Sequence, residues 1–71
     1  MKMSKEYYTN TVKELYEREV EKDRAEGKTS TRFQIGMVIL ERYAKIHRRG
    51  LIKKSEYNGF RTAIEENLFF Y

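Results

Sequence analysis

Apolar residues recur at helical spacing in three stretches of this chain, and two glycines separate them. In the first stretch Tyr8, Val12, Leu15, Tyr16 and Val20 form one stripe, while the opposite face is almost wholly charged. In the second, Ile35, Val38, Ile39, Tyr43 and Ile46 share a face with Arg42, and Met37, Leu40 and Ala44 widen it into a broad apolar arc. In the third, Tyr57, Phe60, Ile64 and Leu68 fall together. Gly27 and Gly50 each close a periodic stretch, as a glycine does when it ends a helix in the left-handed conformation. The pattern predicts an all-α fold of three helices over about 4–26, 31–49 and 54–68, in a single small domain spanning 1–71.

Local signals sharpen the boundaries. Ser4 suits an N-cap with Glu6 in the first turn, where the helix dipole favours an acid. Thr31-Arg32-Phe33-Gln34 fits a capping box. Ser55 or the lysines before it start the last helix. Glu14–Arg18 and Lys22–Glu26 are spaced as i,i+4 ion pairs. The turns after Glu19 hold little that is apolar and are expected to project or fray. The broad arc of the second helix predicts that it is the central member of an antiparallel bundle. Gly36 and Gly59 suggest close packing inside helices, and Leu51 and Ile52 are expected to tuck the second turn against the core.

Composition narrows the chemistry. There is no Cys among the 71 residues, so neither disulfide nor thiol chemistry is available, which fits a reducing cytoplasm. A core of this size seldom supplies more than roughly 3–5 kcal/mol, so long packed helices or self-association must help. The chain is charged from Lys2 onward and reads without a secretory signal. Its longest aliphatic run, Met37-Val38-Ile39-Leu40, is far short of a bilayer span, so a soluble chain with no membrane partner is expected.

The net charge of +4 is unevenly spread: residues 1–27 sum to −1, residues 28–61 to +7 and residues 62–71 to −2. The densest part is His47-Arg48-Arg49-Gly50-Leu51-Ile52-Lys53-Lys54, with Arg42, Lys45 and Arg61 flanking it. Such a corner suits an anionic partner, because Arg and Lys can follow a phosphate backbone without reading bases. It equally suits a helix C-terminus, where cations complement the dipole, followed by a polar turn.

Most of the aromatic residues fall on helical apolar faces and read as core. The terminal Phe69-Phe70-Tyr71 does not; either it folds back on the first helix near Tyr7 and Tyr8, or it binds another chain, in a homodimer for instance. Catalysis has no support. The three serines read as caps, the single His47 has no oriented acid, and no phosphate-binding glycine loop exists. No catalytic residue, metal site or cofactor is expected.

Two stretches resemble known families. Arg49-Gly50-Leu51-Ile52-Lys53-Lys54-Ser55-Glu56-Tyr57, within residues 40–64, is similar to the short C-terminal (SHOCT) helical hairpin, although lysines stand where that family has a cap and an acid. That likeness implies oligomerisation or partner contact. Residues 29–68 resemble the ribbon-helix-helix class of DNA-binding dimers, with Thr29–Phe33 as the short strand. That likeness implies Ser30 and Arg32 facing DNA bases. The turn is longer than that class uses, and a long preceding helix is atypical of it.

The sequence therefore points to a small cytoplasmic regulatory or accessory module that acts by binding. The first expectation is contact with nucleic acid, or a nucleic-acid-bound complex, through Arg42, Lys45, His47, Arg48, Arg49, Lys53, Lys54 and Arg61. The alternative is a protein-interaction module, an inhibitor or adaptor of a size that phages and mobile elements encode. It would use Phe69, Phe70, Tyr71 and the charged first helix.

Overall fold

A computed structural model describes residues 4–70 and contains three α-helices: α1 (Lys5–Ala25), α2 (Arg32–Arg48) and α3 (Lys54–Ile64). A single π-helical turn, Glu65–Phe69, continues α3, with the Phe70 N–H donating to the Glu65 carbonyl at 2.9 Å. No strand occurs among the described residues, and Thr31 caps α2 where a ribbon strand would run.

The helix ends follow from their residues. Ser4 Oγ accepts from the Tyr7 N–H at 3.2 Å. Thr31 Oγ1 accepts from the Gln34 N–H at 3.1 Å, and Gln34 Oε1 accepts from the Thr31 N–H at 2.8 Å, so the capping box is complete. Gly27 and Gly50 have φ of 71° and 74°, and each completes a Schellman turn. In the second of these turns, Leu51 N–H donates to the Ile46 carbonyl at 3.1 Å and Gly50 N–H to the His47 carbonyl at 2.9 Å. Helix α3 begins differently. Its N-cap is Lys53, whose side chain has no acceptor, and the only cap contact is Glu56 Oε1 accepting from the Lys53 N–H at 3.2 Å.

Val12 of α1, Ile35 and Ile39 of α2, Phe60, Ala63 and Ile64 of α3, and Leu68 of the π turn form the buried core. Phe60 sits at the centre of an aromatic cluster. It stacks on Tyr43 at 4.1 Å between centroids and meets Tyr8 edge-on at 4.8 Å. Burial, helped by nearby Tyr7, pushes the Tyr43 phenol above its ordinary value.

Several expectations are corrected. Helix α3, rather than α2, is the most enclosed, because α2 leaves Met37 and Val38 exposed. The end of α1 is engaged only at its start, where Val20 packs on the core and Glu19 pairs with Arg42 of α2 at 2.5 Å; Glu21, Lys22, Arg24 and Ala25 stay exposed in a helix that does not fray before Ala25. The pairs Glu14–Arg18 and Lys22–Glu26 do not form; Glu26 pairs with Lys28 at 3.2 Å instead. Of the two apolar residues expected to tuck the turn against the core, Ile52 is half-buried but Leu51 stays 70% exposed. The glycines within helices admit aromatic rings rather than a backbone. A Cβ on Gly36 would lie 2.5 Å from Phe69 Cε1, and one on Gly59 would lie 2.5 Å from Tyr8 Cζ.

Candidate functional site

The Schellman turn at Gly50 brings the end of α2 against the start of α3, and this corner carries most of the basic residues singled out by the sequence. Lys45, Arg48, Arg49, Lys53 and Lys54 are all exposed, and none is paired with a carboxylate among the described residues. Two flanking residues are differently placed. Arg42 turns toward α1 and is held by Glu19, whose side chain is largely buried. Arg61 Nε donates to Glu65 Oε1 at 3.0 Å, which leaves its terminal amino groups free to donate outward. His47 is half-buried and stacks on Tyr57, with centroids 4.8 Å apart and planes at 11°. It thus fastens α2 to α3 beneath the corner rather than standing out from it.

The helix dipole treats these cations unequally. Lys45, His47 and Arg48 occupy the last turn of α2, where positive charge is favoured. Lys53 and Lys54 occupy the N-cap and first position of α3, where positive charge is disfavoured. Dipole compensation accounts for the first set and leaves the second unexplained.

Ser30 and Arg32, the residues that a ribbon-helix-helix reading would place on bases, lie away from this corner. Ser30 is half-buried, and Arg32 sits over the Tyr16 ring at 5.7 Å.

The C-terminal aromatics do not act together. Phe69 is half-buried and lies on α2, against Gly36 and 4.9 Å from the Phe33 ring, so it does not reach Tyr7 or Tyr8. Phe70 is 75% exposed. Tyr71 lies outside the described residues. Phe33 at 57% and Met37 at 45% exposure continue an apolar patch from Phe69 along α2. The sequence reading missed that extension, because it assigned the whole arc of α2 to burial.

A second feature escaped the sequence reading. With Phe60, Ala63 and Ile64 turned inward, the outward face of α3 consists of Lys54, Ser55, Asn58, Arg61 and Thr62, all exposed. The side chains of Ser55, Asn58 and Thr62 make no hydrogen bond within the described chain. Spacing alone would have revealed this face once Phe60 and Ile64 were fixed as its inner side.

The cavities are shallow. One of them, about 320 Å³, lies between α1 and α3, is bordered by Asn58 and Thr62 and is bridged by the Lys5–Glu66 pair at 3.3 Å. No group of three or more His, Cys, Asp or Glu residues that could hold a metal ion occurs among the described residues. No helix there is long and apolar enough to cross a membrane. The structure is that of a small all-α, three-helix domain. No family model, curated protein or solved structure matches the chain.

Proposed function

We propose that this protein is a non-enzymatic regulatory or accessory module of the cytoplasm that contacts nucleic acid through the basic corner between α2 and α3. One observation carries the reading: Lys45, Arg48, Arg49, Lys53 and Lys54 are exposed, unpaired among the described residues and gathered around one turn, two of them against the helix dipole. Cations placed where they weaken a helix are best accounted for by an anionic partner. Phosphate contacts of this kind neutralise backbone charge and release condensed counterions.

Fluorescence anisotropy with a labelled nucleic acid across a salt series tests this. Replacing Arg48, Arg49, Lys53 and Lys54 with Gln is expected to make the slope of log affinity against log salt shallower by about three to four. Circular dichroism should remain unchanged, since exposed charges contribute little to folding. No binding by the native chain at low salt overturns the proposal.

A second reading rests on exposed Phe33 and Met37, continuous with half-buried Phe69, and on exposed Phe70 next to it in the chain. Exposed apolar surface of this kind marks contact with another protein or with a second copy. In that reading Phe70→Asp lowers the mass in solution, or abolishes capture of the partner, and leaves anisotropy with nucleic acid unchanged.

A further inference from the structure

We propose that α3 is the element that reads sequence, entering the major groove of duplex DNA with Asn58 and Arg61 on base edges while the corner holds flanking phosphates. This rests on the nucleic-acid reading above and goes beyond it by naming the duplex and the reading residues.

The three helices differ in what they offer a groove. The outward face of α1 mixes carboxylates with its cations, and phosphates would be repelled by Glu14, Glu17 and Glu21. The exposed face of α2 is apolar at Phe33, Met37 and Val38, and Glu41 stands before its cations Arg42, Lys45 and Arg48. Only α3 presents a continuous polar face that carries no exposed carboxylate from Lys53 to Thr62. Its one acid there, Glu56, is half-buried and accepts the Lys53 N–H. Lys54, Asn58 and Arg61 lie at i, i+4 and i+7 and form one row, with Ser55 and Thr62 beside them.

Each member has a partner in the groove. Asn donates and accepts together and matches the N6 and N7 edge of adenine. Arg61, held at Nε by Glu65, keeps both terminal amino groups for O6 and N7 of guanine. Ser55 and Thr62 suit either base or a phosphate. From residue 54 to 62 the helix rises about 12 Å, which spans roughly three to four base pairs. The B-form major groove, about 12 Å wide, admits a helix. The deep, narrow major groove of duplex RNA does not, which selects DNA.

The test is selection of the full-length protein on a randomised duplex DNA pool at near-physiological salt, followed by anisotropy on the enriched and an unrelated duplex. An enriched core of three to four base pairs containing an adenine is expected. Asn58→Ala should lower discrimination at that adenine about tenfold, with unchanged affinity for the unrelated duplex and a melting temperature no lower than that of the native chain. A merely structural role would shift the melt and both affinities together. Binding to all duplexes without enrichment overturns this inference and leaves the phosphate reading intact. Enrichment that Asn58→Ala does not alter also overturns it. Preference for single strands overturns the duplex assignment, and failure of the native chain to bind any nucleic acid removes the reading beneath it.

Discussion

Between Glu14 and Lys22, α1 shows solvent Glu14, Glu17, Arg18, Glu21 and Lys22; α3 shows it Lys54, Ser55, Asn58, Arg61 and Thr62. Both faces are polar and both belong to helices whose other side enters one core. The first is built from strong helix formers of mixed sign, which is what a solvated helix surface requires. The second uses three residues of low helix propensity, carries charge mainly of one sign and starts on a lysine cap. Stability explains the composition of α1 and does not explain that of α3. A face that weakens its own helix, and whose Asn58 and Thr62 only border an open cleft against α1, is where a binding role is best sought.

The comparison breaks most sharply on the inner side of α3. Phe60 stacks on Tyr43 and meets Tyr8 edge-on, and it is nearly fully buried. Phe60→Ala is expected to cost about 3–5 kcal/mol, on the scale of the whole stability of so small a domain. Urea denaturation followed by circular dichroism should find the variant largely unfolded at room temperature. A loss below about 1 kcal/mol would show that α3 is not the keystone of the core.

A smaller effect separates the two glycines within helices. Alanine would gain about 1 kcal/mol in helix propensity at either position. At Gly59 the added methyl meets the Tyr8 ring, which is packed against Phe60, and the net result is a loss of about 1–3 kcal/mol. At Gly36 it meets one ring atom of Phe69 at 2.5 Å and Leu68 Cβ at 3.2 Å, whereas at Gly59 three Tyr8 ring atoms lie within 2.8 Å, so the loss should be smaller than at Gly59. Thermal melts of Gly59→Ala and Gly36→Ala decide the order, and a more stable Gly59→Ala would contradict the packing described.

The smallest effect bears directly on the two outward faces. Replacing Ser55, Asn58 and Thr62 together with Ala is expected to stabilise the fold by about 1 kcal/mol. Ala in place of Glu17 and Glu21 should change it by less than about 0.5 kcal/mol. Paired denaturation curves measure both. Destabilisation by the α3 substitutions would mean that those side chains serve the fold after all.

Much of this was legible from residue order. The capping box at Thr31 and Gln34, the N-cap at Ser4 and the left-handed glycines at 27 and 50 are local effects, decided by side chains within one turn of the backbone groups they satisfy. The concentration of charge around Gly50 is likewise a property of the sequence. The same local reasoning did not find the π turn at Glu65–Phe69. That turn exists because Leu68 enters the core while Phe69 lies over Gly36, a site 33 residues away in the chain.

The sequence by itself determined three helices, their starts, the stops of the first two, and a basic turn between the second and third, because these depend on periodicity and on capping groups close in the chain. Only the tertiary structure decided that Arg42 belongs to Glu19 and that His47 lies beneath the corner on Tyr57. It also decided that Phe69 folds onto α2, and that Ser55, Asn58 and Thr62 face outward with no hydrogen-bond partner among the described residues. Each of those depends on which helix faces which, and that choice is made by the burial of Phe60, Ile64 and Ile39 together, a sum over contacts distant in sequence that no single stretch contains.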